Sequence, residues 1–382
     1  MKNNKHIIWL EQTESTNNYA ITHKNDIDKM SVTAALEQTA GRGQGTNRWL
    51  SAPGQNLTFT ITLKYPLPDN LTADDSLAND NDEVNSASDK DTTSINTLTY
   101  NLTPNDSLAN DNDEVNSASD KDTTSINTLT NIEEITIPRI KAENQFVISQ
   151  ITALAVIDLL QKHKLTATIK WPNDIYVGNR KICGILISHT LRGKNLADSI
   201  IGIGININQT QFDPSIPNPT SLILELDKKI QNSNSFTPAN TIANTPESTP
   251  ANTLTNTLAN PPENTIENSI GNTLERPVKH FELKELLEEF IDGFTKRLEH
   301  LSQLSKASDN TIRNNYEEIN KAYHDHMYKK GEQQEFINTN TNTHFIATIL
   351  GVAPNGCLQL KHLDNTTHTY AFKEISYVIK NN

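Results

Sequence analysis

Apolar residues, cysteines and long hydrophobic runs are all scarce in this chain. Hydrophobic residues make up 35% of its 382 positions, whereas a globular domain usually has about 45–50%, so we expect part of the chain to lie outside any packed core. Two cysteines, Cys183 and Cys357, are too few for a disulfide framework or a zinc site. The N-terminal residues lack the apolar core of a signal peptide, and no run approaches the roughly 18 apolar residues of a membrane span. We therefore expect a cytoplasmic protein without a membrane partner.

Positive charge is scarce in one segment of the chain. The net charge is −13, and positions 70–131 hold 13 Asp and Glu against two Lys, so this segment carries −11 and the remainder only −2. The acidity of the whole chain therefore says little about any site in its body. A nucleic-acid partner is disfavoured because a duplex requires a cationic protein face.

The acidic segment is a tandem repeat, in which Asn70–Tyr100 recurs as Asn101–Asn131 with three differences. Both copies are rich in Asp, Asn, Ser and Thr and have too few large apolar residues to offset the entropy of ordering. We expect 70–131 to be a disordered acidic insertion, with a charged interaction segment as the alternative. A second insertion, 231–277, is dominated by Asn, Thr and Pro and is predicted to be unstructured.

The remaining sequence alternates strand and helix patterns. Period-two alternation and β-branched residues predict a strand over Asn56–Lys64, and strands are also expected at 32–37, 167–170, 182–190 and 199–206. Apolar residues near helical spacing predict helices over 145–162, 282–301 and 308–324. Short strands and turns are expected at the end of the chain. The predicted fold class is α+β, with a small all-β domain at the end.

Three segments carry residues suited to binding an anion. Ala40–Trp49 (AGRGQGTNRW) combines glycines, whose N–H groups can converge on an anion, with the forked donors of arginine; a plain glycine turn is the alternative. Lys170–Asp174 (KWPND) ends a strand, because proline cannot continue the ladder. Its Asp174 is suited to hold a magnesium-bound phosphate or to accept a proton, although Asn-Asp turns are common. Lys181 precedes an apolar strand beside Gly184 and is either a ligand contact or a solvated edge charge.

Two more segments are informative. Ile201–Asn208 (IGIGININ) places two glycines in an apolar strand, which is unfavourable unless a ligand or a backbone packs against them. A dinucleotide fingerprint is excluded there because no helix follows and the third glycine is missing. Glu14–Asn17 (ESTN) is expected to cap a helix, while its hydroxyls could also contact a ligand.

The order of these motifs resembles the biotin–protein ligase family. Ser-Thr-Asn comes first, followed by Gln38 with Gly-Arg-Gly and Trp49, then KWPND, then Lys181 with Cys-Gly-Ile-Leu, and then GIGININ. The resemblance continues through Asn218–Leu222 (NPTSL) and Gly351–Ser376, and it covers nearly all of the chain outside the two insertions. Lipoate ligases and octanoyl transferases share the ancestral fold, but this combination of motifs resembles the biotin branch.

The resemblance implies an architecture and a reaction. It implies a mixed-sheet catalytic domain, related to class II aminoacyl-tRNA synthetases, over 1–69 and 132–325, and an SH3-like β-barrel over 326–382. The implied enzyme converts biotin and ATP, with Mg²⁺, into biotinyl-AMP and transfers biotin to one lysine of a biotin carboxyl carrier protein. Such a reaction brings two anions together, so cations are needed to stabilise charge at phosphorus.

The resemblance also assigns residues. Those implied to bind biotin are Ser15, Thr16, Asn17, Gln38, Gly41, Arg42, Gly43, Gln44, Lys181 and Gly184, and those implied to bind ATP are Arg42, Trp49, Lys170, Asn173 and Asn206. Lys181 and Arg42 are expected to stabilise the charge at phosphorus. Asp174 is expected to orient the carrier lysine or to take its proton.

The chain departs from the family pattern at Gln44, where some relatives carry a second arginine, so the contacts of this loop are not transferred. Ser15 lies so close to the start that no N-terminal DNA-binding domain is expected, which disfavours a repressor. The motifs are also compatible with a lipoate or octanoate ligase or transferase, and with a biotin sensor that has no catalytic activity.

Overall fold

The structure is a computed structural model, and it describes residues 5–45, 47–66, 126–130, 135–234, 280–305 and 309–379. The described residues form an α+β fold with an eight-stranded sheet, a five-stranded sheet and five α-helices. The predicted fold class is thereby confirmed. None of the helices described is long and apolar enough to cross a membrane.

The large sheet is mixed, with the strand order β4-β1-β2-β3-β8-β7-β6-β5. Its β1 and β2 strands are parallel, and the other neighbouring pairs are antiparallel. The strands are β1 Lys5–Thr13, β2 Met30–Gln38, β3 Asn56–Lys64, β4 Ile126–Thr130, β5 Thr168–Lys170, β6 Asp174–Val177, β7 Arg180–Arg192 and β8 Asn195–Asn206. The helices are α1 Thr16–His23, α2 Phe146–Lys162, α3 Leu222–Asn234, α4 Leu283–Ser305 and α5 Asp309–Asp325.

One face of this sheet is covered by helices. Phe59 of β3 meets Phe290 of α4 edge-on at 5.1 Å between ring centroids, and α2 packs against both α4 and α5. Because α2 packs against the sheet as well as against these helices, most of its residues are buried, among them Ile148, Ile151 and Leu154. Each such side chain contributes about 1.5–3 kcal/mol through removal from water. The short helix α1 packs against β2, β3 and β8. It lies on the face of the sheet to which Thr60 points, because the Thr60 hydroxyl contacts Thr16 of α1.

The smaller sheet, of strands β9 to β13, has the order β12-β11-β10-β9-β13. Its strands are β9 Gln333–Asn338, β10 Thr343–Val352, β11 Leu358–His362, β12 Thr367–Tyr370 and β13 Ile375–Tyr377. It is tied to the main domain by hydrogen bonds. The indole of Trp171 donates to the carbonyl oxygen of Gly356 at 2.8 Å, and the Val352 amide donates to His324 Nε2 of α5 at 2.7 Å.

The predicted strands and helices are largely confirmed. The strand predicted over 56–64 has those bounds, and the helix predicted over 145–162 begins one residue later. The helices predicted over 282–301 and 308–324 are present as α4 and α5. Ser15 of the Glu14–Asn17 segment is the N-cap residue of α1, but it makes no side-chain cap bond, which leaves its hydroxyl available for another partner.

Two predictions of unstructured chain are wrong at their ends. Residues Ile126–Thr130, within the acidic repeat, form β4, which pairs antiparallel with β1. Their alternation of Ile, Thr and Leu suits an edge strand, and the open edge of β1 offers backbone partners. Residues 231–234 of the predicted second insertion continue α3, where composition had indicated unstructured chain. Asn, Ser and Gln are tolerated in a last helical turn, and no proline precedes Pro238 in this segment. The remaining parts of 70–131 and 231–277 lie outside the described residues.

Deletions can separate the strand from the rest of the repeat. Removing the first copy, 70–100, leaves β4 intact, and we expect the melting temperature to change by less than about 2 °C, which is under 1 kcal/mol at this size. Removing 70–131 also removes β4 and exposes the edge of β1. We expect that deletion to lower the melting temperature by about 2–4 °C, which corresponds to about 1 kcal/mol at this size. Calorimetry of the two proteins beside the full chain measures the difference, and equal melting temperatures would show that β4 adds no stability.

Candidate functional site

The site is organised by one row of paired residues across the large sheet. Thr58 of β3 is paired with Gly204 of β8, and Gly204 with Gly184 of β7. Gly184 is in turn paired with Asp174, and Asp174 with Lys170. Directly paired residues of antiparallel strands point to the same face. The register therefore places the KWPND segment and both glycines on the face opposite the large helices.

Glycines leave room on this face for two side chains. A methyl group at Gly204 would lie 2.3 Å from Trp49 Cε2, and one at Gly202 would lie 2.3 Å from Asn17 Oδ1. Real Cβ atoms do not approach other atoms so closely, so only glycine fits while Trp49 and Asn17 stay in place. This is the close approach that the GIGININ segment was predicted to need.

A cavity of about 350 Å³ lies over this floor. It is lined by the segments that the sequence singled out, together with part of the C-terminal sheet. Its lining includes Ser15, Thr16, Asn17, Gln38, Arg42, Gly43, Gln44, Trp49, Lys170, Asn173, Asp174, Lys181 and Gly184. Thirteen of the fifteen residues predicted for the site are thus brought together.

One end of the cavity is lined by uncharged polar groups. The Thr16 amide donates to Gln38 Oε1 at 2.8 Å, and the Thr16 hydroxyl donates to the same oxygen at 3.1 Å. The Thr60 hydroxyl lies 2.8 Å from Thr16 Oγ1 and 2.5 Å from Asn17 Oδ1. Ser15 and Thr16 are buried. These contacts hold the side chains in fixed positions and present amide and hydroxyl groups, which both donate and accept hydrogen bonds.

The glycine-rich segment forms a small hairpin over the cavity. The Trp49 amide donates to Gly41 O at 3.0 Å, and the Gly43 amide donates to Asn47 O at 2.8 Å. Arg42 is paired with Arg48 across this hairpin, and both side chains are exposed. The indole nitrogen of Trp49 is buried and has no hydrogen-bond partner among the described residues. A buried donor without a partner is unfavourable, so this N–H is available to a ligand acceptor.

Positive charge lies at the other end of the cavity. Lys181 Nζ forms an ion pair with Asp174 Oδ1 at 2.7 Å. Lys170 lies nearby, and burial lowers its pKa, an effect that Asp174 opposes and Lys181 reinforces. Two ammonium groups therefore lie near one carboxylate, which is paired with only one of them. The excess of one positive charge favours binding of an anion.

The C-terminal sheet supplies a wall of the same cavity through Phe372, Ile375, Ser376 and Tyr377. In the sequence, this region only resembles the corresponding part of a known family, and no role was predicted for its residues. Trp171, Ile185, Leu186, Gly202 and Ile203 also line the cavity and were not predicted as site residues. Strand alternation was the signal for Leu186 and Gly202, which lie two positions from Gly184 and Gly204, since residues at every second position of a strand share one face.

Two predicted residues do not line the cavity. Gly41 is buried beneath the hairpin, where a methyl group would lie 2.5 Å from Trp49 O, so it shapes the loop. The Asn206 side-chain amide donates to the carbonyl oxygen of Thr220 at 2.9 Å and is buried. Asn173 lines the cavity, but its side-chain amide donates to the carbonyl oxygen of Ile185. The amides of Asn206 and Asn173 thus hold the backbone around the site.

No group of three or more metal-ligating side chains occurs within the described ranges. Asp174 is the one carboxylate that lines the cavity there. A magnesium ion carried by phosphate oxygens and water needs no larger set of protein ligands.

Fold and cavity together define an α+β protein with one cavity whose lining combines uncharged polar side chains, a tryptophan and two lysines. Residues 9–78 and 125–206 match the model of the Biotin/lipoate A/B protein ligase family. These segments contain the second half of β1, the strands β2 to β8, the helices α1 and α2, and most of the cavity lining. Over these residues the chain is similar to that family.

Relatives in sequence include two kinds of protein. The bifunctional ligase/repressor BirA of Bacillus spizizenii is 40% identical over 68 residues, which are 17% of this chain and 21% of that protein. Biotin–protein ligase 1, chloroplastic, of Arabidopsis thaliana is 40% identical over 70 residues, which are 18% of this chain and 19% of that protein. The aligned residues span about a fifth of the length of these relatives.

The fold is shared over the full length of a solved structure. The biotin protein ligase from Aquifex aeolicus in complex with biotin and ATP superposes with a TM-score of 0.52 and 16% identity, covering 98% of this chain and 100% of that one. This similarity extends the match in fold to the helices α4 and α5 and to the C-terminal sheet.

The glycine floor can be tested by adding one methyl group. We expect Gly204→Ala to displace the Trp49 indole and to weaken binding of the ligand that occupies the cavity by at least about tenfold, a typical effect of misplaced contact groups. The intrinsic fluorescence of tryptophan should change with it, because the indole loses its buried environment. Fluorescence titration with the candidate ligand biotin measures both effects.

Gly293→Ala is the matched control for that substitution. Gly293 lies in α4 with nothing within 4 Å of an added Cβ, so we expect unchanged affinity and a gain in stability of about 0.5–1 kcal/mol. Unchanged fluorescence and affinity in Gly204→Ala would show that the indole does not depend on the missing side chain.

Proposed function

We propose that this protein is a biotin–protein ligase, which activates biotin with ATP and transfers it to a lysine of a biotin carboxyl carrier protein. One observation carries the proposal. The polar set of Ser15, Thr16, Asn17 and Gln38 and the lysine pair line one cavity, in which Trp49 lies between Asn17 at Gly202 and Lys181 at Gly184. The relative from Aquifex aeolicus is described in complex with biotin and ATP.

The polar end suits the ureido ring of biotin. That ring presents one carbonyl acceptor and two N–H donors, and the hydroxyl and amide groups of Thr16, Asn17 and Gln38 can satisfy both kinds. The apolar side chains of Trp49 and Leu186 suit the thiophane ring and the valeryl chain. Lipoate and octanoate have no ureido group, so they would leave the remaining hydrogen-bonding capacity of these polar groups unused, which is unfavourable.

The lysine end suits the first chemical step. The biotin carboxylate attacks the α-phosphorus of ATP, a P–O bond forms, and the bond to the leaving pyrophosphate breaks. Lys181 and Arg42 stabilise the negative charge that spreads over the phosphoryl oxygens. Mg²⁺ bound to the triphosphate supplies additional positive charge, and among the described lining residues Asp174 offers a carboxylate to that ion.

In the second step, a neutral carrier lysine attacks the carbonyl carbon of biotinyl-AMP. An amide forms, AMP leaves, and the amine releases a proton. Asp174 is the carboxylate in position to orient that amine or to accept the proton. The hairpin carrying Arg42 and Gly43 lies over the cavity and restricts access of water to the anhydride.

The proposed domain organisation is the one expected from the sequence. A catalytic domain comprises 1–69 and 132–325, and an SH3-like barrel comprises 326–382, with 70–131 and 231–277 as insertions. The catalytic domain is proposed to share its ancestry with class II aminoacyl-tRNA synthetases. The five-stranded C-terminal sheet, with its order β12-β11-β10-β9-β13, supports the barrel. The cytoplasmic location stays a prediction.

Transfer of labelled biotin to an apo carrier domain, with ATP and Mg²⁺, tests the activity. We expect transfer by the native protein and a loss of at least about 100-fold in Lys181→Ala, because one charged donor at phosphorus is removed. The control is Lys361→Ala, an exposed lysine on β11 of the C-terminal sheet, which should retain full activity.

Three further outcomes would point to a different function. Biotin binding without adenylate formation would favour a non-catalytic biotin sensor. Pyrophosphate exchange triggered by lipoate or octanoate in place of biotin would favour the other branch of the family. Absence of both binding and exchange would reject the proposed function.

Asp174→Asn separates two roles of this carboxylate. Its ion pair with Lys181 predicts that the variant mispositions the lysine and slows biotin-dependent ATP–pyrophosphate exchange by about 10–100-fold, the range of outer-shell substitutions. A role confined to the carrier amine predicts normal exchange and slow transfer from preformed biotinyl-AMP. Measuring both steps distinguishes them, and normal rates in both at all pH values would remove Asp174 from the mechanism.

A further inference from the structure

Lys170 holds its charge in an unusual environment. Among the described residues, no carboxylate lies within ion-pair distance of its ammonium. The nearby Asp174 is paired with Lys181 instead, at 2.7 Å. Its neighbours are aromatic. Lys170 Nζ lies 4.7 Å from the ring centroid of Tyr377 and 5.4 Å from that of Tyr176.

The two rings come from different domains. Tyr176 lies on β6, the strand paired with the β5 strand of Lys170. Tyr377 lies on β13, the last strand of the C-terminal sheet, where it is paired with Phe336. The ammonium therefore lies at the junction of the two domains, and it also lines the cavity.

The ring, rather than the hydroxyl, makes the contact. The hydroxyl group of Tyr377 is buried and has no hydrogen-bond partner in the described part of the chain. An ammonium over the face of an aromatic ring is attracted by the ring quadrupole, most strongly when the pair is shielded from water. This attraction favours the charged form of Lys170, which burial disfavours.

We propose that Tyr377 is a positioning residue, which fixes the Lys170 ammonium where it meets a phosphate group of the nucleotide. The inference rests on the proposed function, because it assumes that the anion in this cavity is a nucleotide phosphate. Under this proposal, the affinity for the nucleotide depends on how the C-terminal sheet packs against the large sheet. Since binding free energies are reciprocal, the nucleotide also stabilises the docked position of that sheet.

The variants separate ring, hydroxyl and cation. Tyr377→Leu removes the ring, Tyr377→Phe removes only the hydroxyl, and Lys170→Met removes the cation. Phe336→Leu is the matched control for packing, because Phe336 contacts the Tyr377 ring at 4.9 Å between centroids within the same sheet. All variants are made in the full chain and are checked for folding by calorimetry.

Two measurements are made on each variant. The KM for ATP is taken from biotin-dependent pyrophosphate exchange, and the dissociation constant for ATP with Mg²⁺ is taken from calorimetry at saturating biotin. We expect Tyr377→Leu to raise both by about tenfold, the effect of losing a desolvated cation–π contact. Tyr377→Phe should stay within about twofold of the native protein on the same grounds, and Phe336→Leu should lose thermal stability but not affinity.

The double variant decides the mechanism. If Tyr377 acts through Lys170, adding Tyr377→Leu to Lys170→Met should change neither constant further. An equal loss in both backgrounds would show a structural role and overturn the proposal. Equal losses in Tyr377→Phe and Tyr377→Leu would overturn it in favour of a hydroxyl that contacts the ligand.

Failure of the ligase proposal would look different. A native protein that binds ATP but supports no exchange refutes the ligase, while calorimetry still tests the coupling between Tyr377 and Lys170. A native protein that binds no ATP at millimolar concentration refutes both.

Discussion

The missing side chains at Gly202 and Gly204 are the constraint on which the rest of the site depends. A sheet face is normally covered by its own side chains, and this one is bare along the middle of β8. Asn17 from α1 and Trp49 from the glycine-rich hairpin occupy that space at separations which admit no Cβ atom. Segments far apart in the sequence are thereby brought to one floor. Two glycines in a strand destabilise the fold by about 0.5–1 kcal/mol each. The packing of the Asn17 and Trp49 side chains against them offsets this loss.

The electrostatics of the site follow from the same row of residues. Lys170, Asp174 and Gly184 are paired across three strands, and Lys181 reaches Asp174 from β7. One carboxylate cannot compensate two ammonium groups, so the cavity retains positive charge where water is partly excluded. Such an arrangement stabilises an anion without reorganisation when the anion arrives. The aromatic rings around Lys170 stabilise its positive charge less than a carboxylate would. The ammonium therefore stays available to a phosphate, whereas an ion pair with a carboxylate would occupy it.

Periodicity predicted the regular elements, and chemistry predicted most of the site. The strand at 56–64 and the helix at 146–162 follow from spacing alone, and the glycines of β8 were flagged because they are unfavourable without a close neighbour. Composition did not predict the strand at Ile126–Thr130. This short run of β-branched and apolar residues follows many acidic residues, which dominate the composition of the segment. Asn206 was predicted to contact the ligand, but its side-chain amide donates to the carbonyl oxygen of Thr220. Sequence does not distinguish these two uses of an amide. Tyr377 could not be found from sequence, because its place at the cavity depends on how the C-terminal sheet packs against the large sheet.

Hydrogen bonds join parts of the chain that lie on either side of 67–125 and of 235–279. Arg139 Nε donates to Pro66 O at 3.4 Å, so the chain after β3 and the chain before α2 lie side by side. Asn208 exchanges hydrogen bonds of 2.9 Å with the backbone of Phe281, which joins the end of β8 to the start of α4. The β3 strand ends at Lys64, six residues along from Thr58, or about 20 Å at the rise of a strand. The row of site residues is therefore held by contacts within the sheet.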